Sequence, residues 1–365
     1  MTQTRAAVQI GPKRTDVRRL PIPVLRPDGG LLRVLAAGIC GSDVPLYANG
    51  SGGERILGHE NVGVIEQLGP LARERWDVRE GDLVALEEYL PCGHCPDCRS
   101  GEYRSCLSTD SRRPGALRYG ATALTVEPGL WGGYSQFQYL HPRAVLHRVP
   151  AGVDPRIASM ALPIGNGFQW AYLDGGAGPG RTVVVQGPGQ QGLACVIAAK
   201  AAGATVVVSG ITRDRHRLEV ARALGADVVV DVERDSLREA VLAVTAGALA
   251  DLVLDVSAGD AREVVAGAVG LVRKRGTLLL AAYKGKPLDA FPLDEVIRGQ
   301  INVRGVRGHS FRAVEMALAL MASRRIDFTP LATHTLSLDE TDRGLRLVGG
   351  EIEEDVVHVA IDPWR

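Results

Sequence analysis

The sequence predicts an α/β protein of two domains, in which a β-rich domain precedes a doubly wound parallel sheet. The chain has 365 residues, too many for one typical domain and enough for two. Short β-like runs broken by Gly and Pro fill about the first 150 residues, a texture typical of a compact domain built from irregular sheets. From about residue 180, strand-like and helix-like segments alternate, which indicates βαβ units.

The β-rich domain is predicted from the runs "AAVQIG", "LLRVLAAG", "NVGVIEQLG", "DLVALEEY", "YSQFQYL" and "VLHRVP". Turn-forming residues separate these apolar segments, so we interpret each of them as a short strand. The final apolar run of the chain, "EDVVHVAI", has the same character. We expect it to return to the first domain as a strand.

The parallel sheet is predicted from the runs "RTVVVQG", "TVVVSG", "VVVDV", "ADLVLDVSAG", "TLLLAAY" and "INVRGVRG". Predicted helices alternate with these strands, in the segments "GPGQQGLACVIAAKAAGA", "RHRLEVARALGAD", "DSLREAVLAVTAG" and "AREVVAGAVGLVRKRG". A last helix is predicted for "FRAVEMALALMASRRI". Strands joined through helices pair in parallel, so these segments predict one sheet.

The bulk composition excludes several classes of protein. Lysine plus arginine is 42 and aspartate plus glutamate is 42, so the formal net charge is zero and no basic excess indicates a nucleic-acid partner. No apolar stretch approaches the roughly 18 residues that a membrane span needs. The N-terminus "MTQTRAAVQIGPKR" has no apolar signal core. We therefore expect a soluble cytoplasmic protein without a nucleic-acid or membrane partner.

A glycine pattern predicts a dinucleotide site. In "VVVQGPGQQG", Gly187, Gly189 and Gly192 have G-x-G-x-x-G spacing between a predicted strand and a predicted helix. The first glycine allows the tight turn, the second lets backbone approach a pyrophosphate, and the third lets the helix pack on the strand. The pattern alone is weak, but this strand–helix context supports it. We expect this turn, with Gln191, to bind the cofactor.

The end of the second predicted strand favours NADP, with NAD as the alternative. An NAD site usually has a carboxylate at this position, whereas "TVVVSG" ends in Gly210. Thr212 and Arg213 follow, and a guanidinium offers a 2′-phosphate a planar charged partner. Two features weaken this interpretation. Arg213 and Arg215 are also compatible with a solvated helix start, and Asp214 brings a negative charge.

Four clustered cysteines predict a metal site. Six cysteines in 365 residues are too few for a disulfide framework. Cys92, Cys95, Cys98 and Cys106 lie within fifteen positions in "CGHCPDCRSGEYRSC". Four thiolates at such spacing can surround one tetrahedral zinc, and a site closed in this way is structural. An iron–sulfur cluster is the less favoured alternative, and His94 inside the loop is interpreted as a surface residue.

These motifs together resemble one known family. "GICGSD", "GHENVGVI", "VREGDLVAL", the cysteine lobe, "GGYSQF" and "VVVQGPGQQGLA" occur in an order similar to the zinc-containing medium-chain alcohol dehydrogenases, particularly the threonine and sorbitol dehydrogenase branch. The resemblance covers essentially the whole chain. It implies a GroES-like catalytic domain over 1–164 with a structural zinc lobe at about 91–107, a Rossmann domain over 165–304 and a return over 305–365. It also implies a small-molecule substrate, an active site in the cleft between the domains, and a homodimer or homotetramer.

The same resemblance assigns roles to the residues of the first motifs. Cys40 and His59 match two ligands of a catalytic zinc, and Glu60 matches a neighbouring glutamate that binds zinc during exchange. Asp43 matches an acid that orients the ligand histidine. Ser42 matches a hydroxyl that takes the proton of the substrate alcohol.

Two departures from the family pattern put the catalytic zinc in question. Leu162 stands where this branch has a further Cys, Asp or Glu ligand, and Pro45 replaces the usual relay histidine. Cys40, His59 and Glu60 then leave two options open. They could provide three protein ligands and one open position, as a catalytic zinc requires. Otherwise the site holds no zinc and serves another purpose.

Three functions are consistent with this sequence. The leading hypothesis is an NAD(P)-dependent oxidoreductase that moves a hydride between nicotinamide and an alcohol or carbonyl. The second is zinc-independent reduction of an activated alkene, with Tyr47, Gln169 and Trp170 lining the pocket. The third, least favoured, is a non-catalytic protein that keeps the dinucleotide site.

Overall fold

A computed structural model describes residues 3–50, 52–110, 112–258, 261–288 and 290–365, without the side chains of residues 261 and 262. The chain forms two compact units. The first takes the chain up to Leu162 together with Leu318–Arg365, and the second is Pro163–Ala317. The divisions therefore fall after residues 162 and 317, whereas the sequence analysis places them after residues 164 and 304.

The strands are β1 (Gln3–Gly11), β2 (Arg14–Pro21), β3 (Gly30–Gly38), β4 (Arg55–Ile56), β5 (Glu60–Leu68), β6 (Leu83–Leu86), β7 (Phe137–Leu140), β8 (Leu146–Arg148), β9 (Thr182–Gln186), β10 (Thr205–Gly210), β11 (Val228–Asp231), β12 (Ala250–Asp255), β13 (Val272–Leu280), β14 (Asn302–Gly305), β15 (His334–Leu336) and β16 (Val359–Ile361).

The α-helices are α1 (Asp43–Asn49), α2 (Pro70–Trp76), α3 (Pro96–Arg99), α4 (Pro155–Ala158), α5 (Ala161–Gly167), α6 (Gln190–Ala201), α7 (Arg215–Ala223), α8 (Leu237–Val244), α9 (Ala261–Val269), α10 (Leu293–Gly299), α11 (Phe311–Ser323) and α12 (Thr341–Val348). A π-helical segment, Phe168–Asp174, follows α5, and five short 3₁₀ turns complete the described helices. Within the described part of the chain, no helix has the length and apolar character needed to cross a membrane.

The first unit is built on two sheets. A small sheet has the order β2-β1-β4, and a larger sheet has the order β15-β16-β3-β5-β6-β8, with β7 also pairing with β3. Strand β16 pairs antiparallel with β3, and Ala360 lies opposite Gly38. The final apolar run therefore returns to the β-rich unit, as the sequence predicts.

The second unit carries a six-stranded parallel sheet with the order β11-β10-β9-β12-β13-β14. Its central strands are fully buried runs of β-branched and other aliphatic residues, Val183–Val185, Val206–Val208 and Leu252–Leu254. Such continuous apolar runs are typical of strands covered on both faces. The strand order reverses at β9, and ligands bind at such switch points in doubly wound sheets. The predicted Rossmann-type sheet is confirmed.

One predicted helix is wrong in its second half. The sequence predicts a helix that continues through "GLVRKRG", but α9 ends at Val269 and β13 begins at Val272. Leu271 and Val272 are buried in the core beside β12, so tertiary packing outweighs the helical tendency of the basic residues that follow. Arg275 has a positive φ of 61°, which interrupts regular structure inside this strand.

Candidate metal centre and dinucleotide turn

The pairing of β3 with β5 brings together the predicted metal ligands. Gly38 lies opposite Glu60 in this ladder, Cys40 follows β3 and His59 immediately precedes β5. The thiol, imidazole and carboxylate ligand atoms of Cys40, His59 and Glu60 all lie within 4.8 Å of one another. A Cβ atom at Gly38 would lie 2.6 Å from Glu60 Oε2, so glycine at this position admits the carboxylate. The donor set and its spacing fit one divalent metal ion.

Asp43 orders the same site from the first turn of α1. Its Oδ2 accepts hydrogen bonds from the Cys40 amide at 3.0 Å and from the Tyr134 hydroxyl at 3.0 Å. Its Oδ1 lies 3.1 Å from His59 Nδ1. With Nδ1 held in this way, the remaining ring nitrogen, Nε2, is the one available to a metal. Tyr134 is a contributor that the sequence analysis missed, although it lies in the quoted "GGYSQF" motif.

The charges around His59 favour a cation. Burial disfavours a charged imidazole, but the Asp43 carboxylate outweighs it, with help from Cys40, and raises the pKa of His59 well above its usual value. Burial, together with the nearby Glu60 carboxylate, raises the pKa of the Cys40 thiol. Ser42 Oγ lies 3.3 Å from Cys40 Sγ and 3.4 Å from His59 Nε2. The predicted hydroxyl therefore borders the ligand atoms.

Leu162 is buried and carries no ligand atom. A different acid approaches His59 instead. Glu88, two residues after β6, places its Oε2 3.9 Å from His59 Nε2. The same oxygen accepts a hydrogen bond from Arg118. Burial disfavours the carboxylate, but the Arg118 charge outweighs it and lowers the pKa of Glu88 to about 2. Neither Glu88 nor Arg118 was among the predicted site residues; the acidic pair "EE" after a buried strand is the one sequence signal.

The side chains proposed for an alkene-reducing pocket have structural partners. Tyr47 is buried, and its hydroxyl donates to the Lys13 carbonyl at 2.8 Å. Gln169 Oε1 accepts from the amide and hydroxyl of Ser310 at 3.1 and 2.8 Å. The Trp170 indole donates to a backbone carbonyl at 2.9 Å. These contacts are typical of packing residues.

The four cysteines of the lobe form one cluster, which confirms the predicted grouping. Their sulfur atoms all lie within 4.8 Å of one another, with Cys95 Sγ 3.4 Å and Cys92 Sγ 3.9 Å from Cys98 Sγ. Sulfur ligands of one tetrahedral zinc lie about 3.8 Å apart. The amides of His94 and Cys95 donate to Cys92 and lower its pKa to about 6, which favours the thiolate that binds metal. The cluster fits a structural zinc.

A buried carboxylate ties this lobe to the larger sheet. Glu87 follows β6 and is completely buried. It accepts a hydrogen bond from the Tyr103 hydroxyl, which lies between the third and fourth cysteines, and it lies 3.2 Å from His147 Nε2 on β8. Consecutive residues therefore serve two sites, since Glu87 contacts the lobe and Glu88 approaches His59.

The Gly-rich turn after β9 has the geometry that the pattern predicts. Gly187 has a φ of 103°, in the left-handed region that favours glycine. A Cβ atom at Gly192 would lie 1.8 Å from the Gly187 carbonyl oxygen, whereas one at Gly189 would have no described atom within 4 Å. The backbone at Gly189 is therefore open to a ligand, and α6 begins at the next residue. Gln191 accepts a hydrogen bond from Asn166 at 3.1 Å.

Packing explains why Gly210 lies at the end of β10. A Cβ atom at Gly210 would lie 2.8 Å from Pro188 Cγ, so a larger residue does not fit without rearrangement. The absent carboxylate is thus explained by packing as well as by cofactor choice. Asp214 Oδ2 accepts from the Ile211 amide at 3.3 Å and its Oδ1 accepts from Arg217 at 3.2 Å, so this acid caps the turn.

Two acids near this strand end were missed by the sequence analysis. Asp231 pairs with Gly210 across the sheet and accepts from the Thr212 hydroxyl at 2.7 Å. Glu233 accepts from the Thr212 amide at 2.8 Å. Arg213 is exposed, and its guanidinium forms no ion pair within the described part of the chain. Thr212 therefore forms hydrogen bonds with two acids, and the guanidinium of Arg213 stays available.

Comparison with known proteins assigns the chain to a family. Residues 26–151 match the alcohol dehydrogenase GroES-like domain, and residues 192–323 match the zinc-binding dehydrogenase family. A probable alcohol dehydrogenase of Mycobacterium tuberculosis is 39% identical over 353 residues, which cover 95% of each chain. The chain belongs to the zinc-binding medium-chain alcohol dehydrogenases. It is accordingly an NAD(P)-dependent oxidoreductase of the alcohol dehydrogenase type.

Other relatives of this dehydrogenase extend over most of the chain. L-threonine 3-dehydrogenase of Bacillus subtilis is 29% identical over 336 residues, 90% of each chain. The solved structure of an alcohol dehydrogenase from Thermus sp. ATN1 is 28% identical and superimposes with a TM-score of 0.84, over 98% of this chain and 99% of that chain. The predicted combination of a GroES-like domain with a Rossmann-type sheet is therefore confirmed.

Proposed function

We propose that this dehydrogenase interconverts a small alcohol and its carbonyl compound with NADP, at a metal held by Cys40, His59 and Glu60. The observation that carries the proposal is the convergence of these three ligand atoms within 4.8 Å. A bound zinc would act as a Lewis acid on the alcohol or carbonyl oxygen. The relatives named threonine and sorbitol dehydrogenase support a hydroxyl-bearing substrate.

Four residues of the first unit prepare this chemistry. Asp43 engages Nδ1 of His59 and so leaves Nε2 to face a metal, and Glu60 would supply the carboxylate that Leu162 cannot. Three protein ligands leave one position for the substrate oxygen, as catalytic zinc sites require. Ser42 lies beside the ligand atoms, and its hydroxyl is positioned to take the proton of a substrate alcohol. With proline at position 45, that proton passes to solvent without a relay histidine.

The second unit would bind the cofactor. The open backbone at Gly189 and the start of α6 suit a pyrophosphate. Arg213 is exposed beside the end of β10 and suits a 2′-phosphate. Asp214 is paired with Arg217 at 3.2 Å and Asp231 with Arg234 at 3.5 Å, so these cations offset part of the repulsion between the carboxylates and a phosphate. These features support NADP over NAD.

Zinc-independent alkene reduction receives no support from the side chains suggested for it. Tyr47, Gln169 and Trp170 are engaged in packing contacts. The two reactions also differ in their dependence on Cys40, since hydride addition to an activated alkene needs no metal ligand.

The test compares wild type with Cys40→Ser on two substrate panels. The panels are small secondary alcohols and diols with NADP⁺, and α,β-unsaturated ketones with NADPH. The proposal predicts alcohol oxidation by wild type and its loss in the variant, by at least about 100-fold in kcat/KM. Enone reduction that persists in the variant, without alcohol oxidation by wild type, contradicts the proposal. Cys195→Ser, a buried cysteine of the second unit, is the matched control.

A further inference from the structure

We propose that Glu88 is an exchangeable fourth protein ligand of the catalytic metal, and that Arg118 holds its carboxylate when it is off the metal. This inference rests on the proposed function, because it needs a metal at Cys40, His59 and Glu60. It adds a ligand from the segment that follows β6 to a site otherwise built on the β3–β5 ladder.

The distance to His59 supports direct ligation. Two ligands at ordinary zinc distances, one nitrogen and one oxygen, lie about 3.4 Å apart in a tetrahedral site. Glu88 Oε2 lies 3.9 Å from His59 Nε2, outside the group formed by Cys40, His59 and Glu60, so the carboxylate has to move towards the other ligand atoms to bind the metal. The approach is on the side of the ring that Asp43 leaves free, since Asp43 engages the opposite nitrogen.

Backbone contacts hold Arg118 next to Glu88, where it is the alternative partner of the Glu88 carboxylate. The Tyr119 amide donates to the Glu88 carbonyl at 3.1 Å, and Tyr89 forms an isolated β-bridge with Arg118. The Arg118 guanidinium also lies over the Tyr89 ring, 5.4 Å from its centroid. The side chains of Glu88 and Arg118 are only 14% and 18% exposed. The ion pair is therefore a built feature of the fold that holds the carboxylate within reach of His59.

The local charge balance argues for a cation between these groups. Asp43, Glu60 and Glu88 surround one imidazole, and all three are buried or nearly so. Arg118 offsets one of these charges, and buried like charges at short range repel one another. A divalent metal at this position would further reduce that repulsion. Leu162 carries no ligand where the family pattern that the sequence resembles has a Cys, Asp or Glu, and Glu88 would supply a negative charge from another direction.

The test measures zinc affinity by chelator competition, with the cysteine-lobe metal as an internal reference in every variant. Glu88→Gln should weaken the catalytic site about 10- to 100-fold and leave the lobe unchanged. Arg118→Met should strengthen it several-fold, since the carboxylate no longer has a competing partner. The double variant Glu88→Gln, Arg118→Met carries neither charge of the ion pair. It should bind zinc as weakly as Glu88→Gln alone. The matched control is Glu66→Gln, because Glu66 lies on β5 and pairs with Arg33 of β3, away from the ligand atoms.

Glu88→Asp separates a ligand from a nearby charge. It keeps the charge but shortens the side chain, so a ligand role predicts weakened zinc binding and an altered visible spectrum of the Co²⁺-loaded site. Wild-type affinity in Glu88→Gln, or in Glu88→Asp, overturns the ligand role and leaves the proposed function standing. A wild-type chain that binds only the cysteine-lobe metal overturns both proposals.

Discussion

Asp43 Oδ1 lies 3.1 Å from His59 Nδ1, and this contact determines which ring nitrogen can meet a metal. Asp43→Asn should therefore lower the zinc affinity of the catalytic site about 10- to 100-fold, because partners behind a metal ligand tune its affinity by such factors. Zinc competition measures the change. Tyr134→Phe removes one hydrogen bond to the same carboxylate and should have a smaller effect. Equal loss in both variants would contradict this order.

Arg213→Ala should weaken NADPH binding about 10- to 100-fold, because a charge-assisted hydrogen bond to the 2′-phosphate contributes about 1.5–3 kcal/mol. NADH affinity should change little. Fluorescence titration of both cofactors measures the ratio. Arg215→Ala is the matched control, since Arg215 is exposed and pairs with Glu219 at 3.3 Å. A wild type that binds NADH as tightly as NADPH would remove the basis of the NADP proposal.

Gly210→Asp should weaken both cofactors rather than convert the protein to NAD preference. The new Cβ atom would lie 2.8 Å from Pro188 Cγ, inside the Gly-rich turn that meets the pyrophosphate. Adding Pro188→Ala should recover part of the NADH affinity, because it removes the clashing ring. The same titrations check this outcome. Strong NADH binding by Gly210→Asp alone would contradict this prediction, because it would show that the turn rearranges to accept the side chain.

His358 should make the protein less stable in acid. Burial lowers the pKa of His358 from 6.5 to about 4, and its Nε2 lies 3.1 Å from Ser159 Oγ. The unfolded chain therefore binds a proton below pH 6.5 that the folded chain binds only near pH 4. The stability of the folded state is complete above pH 6.5 and falls by about 1.4 kcal/mol per pH unit between these values.

His358→Gln removes this dependence. The melting temperatures of wild type and variant should converge as the pH falls from 8 to 5, although the variant is less stable at pH 8. A constant difference between wild type and His358→Gln at every pH would show that His358 does not titrate in this way.

The fold was largely predictable because its signals are local. A buried strand such as "TVVVQ", and the glycine turn that follows it, can each be predicted from a few consecutive residues. The segment "GLVRKRG" was misassigned because its strand depends on pairing with β12, a contact that propensity does not contain. Similarly, α10 lacks a strong periodic signal and was not predicted.

The candidate site was predictable only where a motif carried it. Cys40, His59 and Glu60 lie in two short motifs that one strand pair joins. Glu88 and Arg118 are thirty positions apart and meet through loop backbone contacts, which no local pattern reveals. At Gly210 the sequence pattern points to cofactor choice, whereas the structure adds a steric reason for glycine, because a Cβ atom there would lie 2.8 Å from Pro188 Cγ.

Metal content per chain tests the central claim most directly. Purified wild type should contain about two zinc ions, one in the cysteine lobe and one at Cys40, His59 and Glu60. Cys98→Ser should lose the lobe zinc and lower stability, because metal binding free energy is also folding free energy. Cys40→Ser should lose the other zinc and keep the lobe. One zinc per wild-type chain, unchanged by Cys40→Ser and lost in Cys98→Ser, would contradict a catalytic metal at this site.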